Sequence, residues 1–124
     1  MHDALHHIND SRVLRCDDAG PVLDAAGLHD LVGTALGHGA QWIAVPCTRL
    51  PAQFFDLRSG MAGHWLQTLV NYRLRVAVLG DVSALRQRSR ALDALITETN
   101  RGRDGAFVAD WPALQRWLQG TVPD

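Results

Sequence analysis

The chain has 124 residues, 47% of them apolar and 20% charged, and a formal net charge of −1 at pH 7. That is the length of one domain with enough core to fold unaided, and neither the charge balance nor any apolar run calls for nucleic acid or a membrane. All twelve basic residues are Arg, so Schiff-base lysine chemistry and the lysine of a phosphate loop are both excluded.

The opening "MHDALHHIND" has neither the basic flank nor the apolar stretch of a signal peptide. Cys16 and Cys47 fall at or near expected strands and read as small buried hydrophobes rather than a disulfide. The expectation is a cytoplasmic protein. Val13 to Cys16 reads as a short strand, with Ala4 to Ile8 as a partner across an Asn9-Asp10 turn. Residues 1–10 otherwise read as a mobile start. In "LDAAGLHDLVGTALGHGA", Leu28, Leu31, Val32, Ala35 and Leu36 repeat at helical spacing. Asp24 suits the N-cap and Gly37 or Gly39 the stop. "QWIAVP" is then a buried strand ended by Pro46.

The segment "FFDLRSGMAGHWLQTLVNYR" begins with paired aromatics, turns at Arg58-Ser59-Gly60 and becomes a helix. Met61, Ala62, Trp65, Leu66, Leu69, Val70 and Tyr72 take about half its circumference. Of the two Phe, one is expected in the core beneath the turn and the other over the edge. "LRVAVLG" reads as a central parallel strand buried on both faces. "DVSALRQRSRALDALITETNRG" reads as one helix, capped by Ser83 or Asp81, with Leu85, Leu92, Leu95 and Ile96 inward. Gly102 is its expected left-handed stop. "GAFVAD" is a last strand, and Asp110 caps a final helix with Pro112 in its first turn. Trp111, Leu114, Trp117 and Leu118 line its inner side.

Alternating strands and helices imply a single α/β domain over residues 1–124. Its sheet is mostly parallel, with four or five strands covered by about four helices. Crossovers are expected to be right-handed, and the strand order is open. In such sheets ligands sit beyond the carboxyl ends of the strands. There Phe54, Phe55, Arg58, Ser59 and Gly60 are expected to meet Asp81 and Ser83. A helix start with an adjacent Arg is either an anion corner or a capped entry into a core helix. Asn71, Arg73, Asn100 and Arg101 form a second polar cluster at the opposite edge. Asn and Arg there also serve simply to close helices.

Chemistry-bearing patterns are sparse. A Ser59/His64/Asp81 triad can be drawn, but nothing in the spacing requires it and there is no Gly-x-Ser-x-Gly elbow. His2, His6 and His7 have the chemistry to chelate a metal, yet a terminus suits them as well. No metal site and no cofactor is expected. Arg86, Arg88 and Arg90 mark either an anionic partner or a solvated face. Two of the four Trp lie on the last helix, which raises self-association beside the plainer use of covering the sheet.

"VPCTRLPAQFFDLRSGMAGHWLQTLVNYRLRVAVLGDVS" and "ETNRGRDGAFVAD" resemble a bacterial domain-of-unknown-function family. Its pattern is Phe-Phe-x-Leu-Arg-Thr/Ser-Gly-x-Ala-Gly, Asn-Tyr-Arg, Gly-Asp-x-Ser and Ser-Asn-Arg-Gly. The resemblance runs from about Leu23 onward. This chain carries His64 where the family has Glu, and Thr99 where it has Ser. The family implies no activity. The element order is also similar to STAS (sulfate-transporter and anti-sigma-factor-antagonist) domains, which by analogy implies a phosphoacceptor near Ser59. The functional expectation is a regulatory or protein-interaction domain working through the Arg58-Ser59-Gly60 edge, with an unidentified protein or a second copy as partner. The alternative is a small-anion binder or enzyme at the same edge, with Asp81 as base and His64 as acid–base group.

Overall fold

A computed structural model describes residues 3–119. The strands are β1 (Ala4–Ile8), β2 (Ser11–Arg15), β3 (Trp42–Pro46), β4 (Arg75–Leu79) and β5 (Gly105–Val108). The helices are α1 (Ala25–Gly37), α2 (Met61–Asn71), α3 (Ser83–Arg88), α4 (Arg90–Arg101) and α5 (Trp111–Leu118). Three 3₁₀ turns, Cys47–Arg49, Ala52–Phe55 and Leu57–Ser59, fill the stretch between β3 and α2. All five strands form one sheet in the order β1-β2-β3-β4-β5; the β1–β2 pair is antiparallel and the others parallel. The expected hairpin is present, with Asn9 in the left-handed region (φ 55°).

A sequential parallel order has a consequence. Each crossover moves one strand along in the same direction, so right-handed connections send every crossover helix to one face. Leu28, Leu31, Val32 and Ala35 of α1, Ala62, Trp65 and Leu69 of α2, and Leu92 and Ile96 of α4 share one core with Leu14, Ile43, Val45, Val76 and Val78 of the sheet. The other face is left to α5. There the alternate residues Ala44, Ala77 and Ala106 lie side by side across β3, β4 and β5. Alanines leave room for a helix to lie close, and Leu114 is fully buried in that second core with Val13, Trp42 and Leu79. Trp111, Trp117 and Leu118 pack around its margin. The two terminal Trp thus serve as cover for the sheet.

Caps follow the sequence in part. Asp24 accepts from the Gly27 N–H at 2.8 Å and Asp110 from the Ala113 N–H at 2.9 Å. The helix expected from Ser83 to Arg101 is instead two. Ser89 is extended (φ −142°, ψ 113°) and its hydroxyl caps α4 by accepting from the Leu92 N–H. Ser in mid-helix competes for backbone partners, and here that competition wins. Neither Asp81 nor Ser83 caps α3; its N-cap is Val82, and Asp81 instead closes a local turn onto Ser83. Gly102 ends α4 in extended rather than left-handed backbone (φ −87°, ψ −165°). Leu36, Val70 and Tyr72, expected on inner faces, are 47%, 38% and 46% exposed: Leu36 and Val70 lie at the border of their helices' apolar arcs, and Tyr72 is the C-cap beyond the end of α2.

Candidate functional site

Phe54 and Phe55 divide as expected. Phe54 is 1% exposed and meets Phe55 and Trp65 edge-on, at ring separations of 5.2 and 5.8 Å, while Phe55 remains half-buried. Above them the Arg58-Ser59-Gly60 turn is tightly bonded. Asp56 accepts from the Arg58 N–H at 3.1 Å and from Arg58 Nε at 3.2 Å. Ser59 Oγ donates to the Gln53 carbonyl at 2.6 Å and accepts from the Met61 N–H at 3.1 Å. Gly60 sits at φ 75°, a left-handed step that no side chain favours, and swings the backbone into α2. Ser59 is therefore a brace at the helix entry, one position ahead of the N-cap residue Gly60.

The expected meeting of this turn with Asp81 and Ser83 does not occur among the described contacts. The side-chain partner of Arg58 is Asp56, and that of Asp81 is Ser83. A cavity of about 330 Å³ does open at the carboxyl ends of β4 and β5, but Gly80, Asp81, Val82, Ser83, Arg86 and Phe107 line it without any residue of the turn. Ligand crevices in open α/β sheets arise where neighbouring crossovers depart to opposite faces. Here the crossovers all take one face, so the topology makes no crevice between β3 and β4. Gly80 (φ 140°) closes that gap further, because a Cβ there would overlap Cys47 Sγ.

The drawn triad does not assemble. His64 lines a groove between α1 and α2 with His29, Thr68 and Tyr72, away from the cavity that Asp81 lines. Hydrogen bonds from Ser83 hold the Asp81 carboxyl below its ordinary range, which makes it a poorer proton acceptor. The bond from Arg58 does the same to Asp56. His6 and His7 are successive strand residues on opposite faces, so they cannot share an ion; the His6 ring meets Trp111 at a tilt of 58°, with centroids 4.8 Å apart. His2 lies outside the described residues. Among the described residues there is no group of three His, Cys, Asp or Glu able to hold a metal. The Arg86/Arg88/Arg90 run is split by the Ser89 break, and Arg86 is tied to Asp93 at 2.6 Å and Thr97 at 3.0 Å.

The second polar cluster is taken up by the fold. Asn71 accepts from Gln67 at 2.9 Å. Arg73 adopts the left-handed conformation (φ 58°) that closes α2, where the Leu74 N–H bonds the Leu69 carbonyl. Asn100 accepts from the Phe107 N–H at 2.7 Å and donates to the Phe107 carbonyl at 3.3 Å. β5 is the sheet's edge, so its outward backbone groups lack a strand partner. The Asn100 amide supplies both partners for the Phe107 peptide groups at once. Arg101, the exposed last residue of α4, makes no hydrogen bond to the other three. Asn100→Ala is expected to cost about 2 kcal/mol and to promote concentration-dependent association through the freed edge. Urea unfolding and light scattering of the variant check both effects.

Sequence reasoning missed Arg49. It is 8% exposed, donates from Nε to the Pro21 carbonyl at 3.0 Å and from Nη1 to the Asp17 carbonyl at 3.1 Å, and lies 3.9 Å from Asp3. Its own carbonyl accepts from the Leu23 N–H at 2.7 Å. Gly20 lies so close that a Cβ there would overlap the guanidinium. One side chain thus fastens the β2–α1 connection to the β3 loop. The only local signal was an Arg flanked by Thr48 and Leu50 between two prolines.

Both cysteines are free thiols. Burial, with the Asp3 charge, pushes Cys16 from 9.0 to about 12, and burial also raises Cys47. A thiol raised in the folded state stabilises the fold below its unfolded pKa. That contribution is lost as pH climbs from 9.0 to about 12. At about pH 8, Cys47 is expected to label with a thiol reagent while Cys16 labels only after denaturation. Mass spectrometry of the alkylated peptides checks the order.

Fold and site together define a small α/β domain with crossover helices on one face, a single covering helix on the other, and a braced loop at the carboxyl edge. Over residues 8–118 the chain matches the family model described as Domain of unknown function (DUF4180), and it belongs to that family. No curated protein and no solved structure matches it. Among the described residues no helix is long and apolar enough to cross a membrane.

Proposed function

We propose that this is a regulatory or protein-interaction domain of a bacterial cytoplasm, working through the surface of Phe55, Arg58 and the turn around them. One observation carries the reading: the Arg58 side chain is 91% exposed on a loop whose backbone is held by Asp56 and Ser59. A fixed, charged, protruding residue loses little entropy on docking and suits a complementary protein surface. Asp81, at the neighbouring loop, stays charged and is bonded to Ser83 rather than to Arg58. The reading extends the STAS-like analogy in one respect and departs from it in another. Ser59 stands at the expected helix start, but its hydroxyl is engaged on both sides, so its first role is to hold Arg58 in place.

The small-anion alternative has less support at this edge. The cavity there carries the Asp81 charge, and its Arg86 is already paired with Asp93. Thermal-shift screening separates the readings, since a ligand at a hundred times its Kd stabilises by about 2.7 kcal/mol.

The direct test is chemical cross-linking in native cells followed by quantitative mass spectrometry. A partner captured by the wild type is expected to be lost with Arg58→Glu and to weaken with Ser59→Ala. Ser59→Ala, which loses the bonds to the Gln53 carbonyl and the Met61 N–H, should itself cost only about 1 kcal/mol of stability. Retention of every partner by Arg58→Glu and Ser59→Asp would remove this surface from consideration. If the retained partner is a second copy, light scattering shows it directly.

A further inference from the structure

The amino-end edge of the sheet holds a second, chemically different place. Trp42 opens β3 and Arg75 opens β4; they are paired in register and share the α5 face. The Arg75 guanidinium lies over the Trp42 ring, 5.9 Å from its centroid. Arg103 reaches the same place from the α4–β5 loop, and Trp117 from the last turn of α5. With Gly102 they line a cavity of about 360 Å³. Four segments distant in sequence thus bring two guanidinium groups and two indoles around one space.

Among the described residues the charges there have no acidic partner. Arg49, Arg58 and Arg86 each have an acidic partner within 4 Å, at Asp3, Asp56 and Asp93. Arg75 and Arg103 have none among the described residues. The nearest acid in sequence, Asp104, lines a different groove with Glu98 and Thr99. Two like charges facing one cavity repel each other, and a bound anion relieves that repulsion. Guanidinium forks bond carboxylate and phosphate oxygens directly, and the half-buried Trp117 indole favours a flat ring beside them, while Trp42, 4% exposed, lies beneath Arg75 and supports it. The volume is at the small end of ligand pockets, room for one ring system and one anionic group.

We propose that this cavity binds a small planar anion, an aromatic ring bearing a carboxylate or a phosphate. Arg75 and Arg103 hold the anionic group, and Trp117 with the Trp42–Arg75 stack holds the ring. This site is independent of the loop at the opposite edge, and its ligand is a candidate signal for the domain.

Isothermal titration at low ionic strength with indole-3-acetate, adenosine 5′-monophosphate and inorganic phosphate tests it. One of the two ring-bearing probes is expected to bind with 1:1 stoichiometry, about tenfold or more tighter than phosphate. The better of the two identifies the anionic group. Arg103→Gln, at an exposed position, is expected to weaken that binding about tenfold or more, and Arg75→Gln likewise. Trp117→Leu should abolish the preference over phosphate while leaving phosphate binding unchanged. Arg88→Gln, at an exposed position outside the cavity, should leave binding of both ring-bearing probes unchanged. Absence of saturable binding by both ring-bearing probes at millimolar concentration overturns the proposal. So does binding that survives Arg103→Gln intact. If Arg75→Gln fails to fold, the Arg103 variant alone decides.

Discussion

Phe54→Ala is expected to lower the free energy of unfolding by about 3–5 kcal/mol. The side chain is 1% exposed and closes the core beneath the Arg58-Ser59-Gly60 turn, edge-on to Trp65 of α2. The three 3₁₀ turns around it are short and fixed at both ends, so the backbone cannot collapse into the space left behind. That puts the loss toward the upper part of the range for an aromatic truncation. Urea unfolding followed by Trp fluorescence gives the value, and the Trp65 emission reports the same site. Phe55→Ala is the internal comparison. Its ring is only half-buried, and its loss should be clearly smaller. Equal losses at the two positions would mean that the turn, and not the core beneath it, holds this segment.

Arg49→Met is the second large effect, at about 3 kcal/mol. The substitution keeps an unbranched chain of similar length but removes the donors that the Pro21 and Asp17 carbonyls now accept from. Each charge-assisted bond is worth more than a neutral one, while the cost of burying the guanidinium offsets part of the gain. Two bonds less that cost give a net of this size. The Asp3 pair adds little, because it is 3.9 Å long and Asp3 is partly solvated. Arg49→Lys keeps the charge but not the fork, so it should recover less than half of the loss. Hydrogen exchange locates the damage: the Leu23 amide, bonded to the Arg49 carbonyl, is expected to lose protection before the amides of β4. Uniform loss of protection across the sheet would place the role of Arg49 in the core rather than in the loops.

Apart from the division of α3 from α4, the elements are legible in the local pattern of the chain. Strong local signals carry them: the apolar runs of β3 and β4, the 3.6-residue stripes of α1 and α2, and Asp24 and Asp110 as caps. Each depends on neighbours within a turn or two of chain. The sequence by itself also determined the contrast between Phe54 and Phe55, since a helix that must begin cleanly over a core needs one anchor and one cover. It did not determine the Ser89 break, because an isolated Ser inside a good apolar stripe reads as helix until the Leu92 N–H is seen to take it as a cap. The tertiary structure alone decided the strand order, and with it the fate of the site residues. Local patterns give the period of a strand but not its neighbour. Once the order proved sequential, all crossovers fell on one face and the carboxyl edge lost the crevice that an order reversal would have made. Asp81 and Arg58 then had no reason to converge. The same order made β5 an edge, which turned Asn100 from a helix-closing residue into a backbone partner. Burial of Arg49, and the gathering of Trp42, Arg75, Arg103 and Trp117, rest on contacts between distant segments. Residue type alone cannot carry that information: the twelve arginines are chemically alike, and only their surroundings separate a structural clamp from an open binding group.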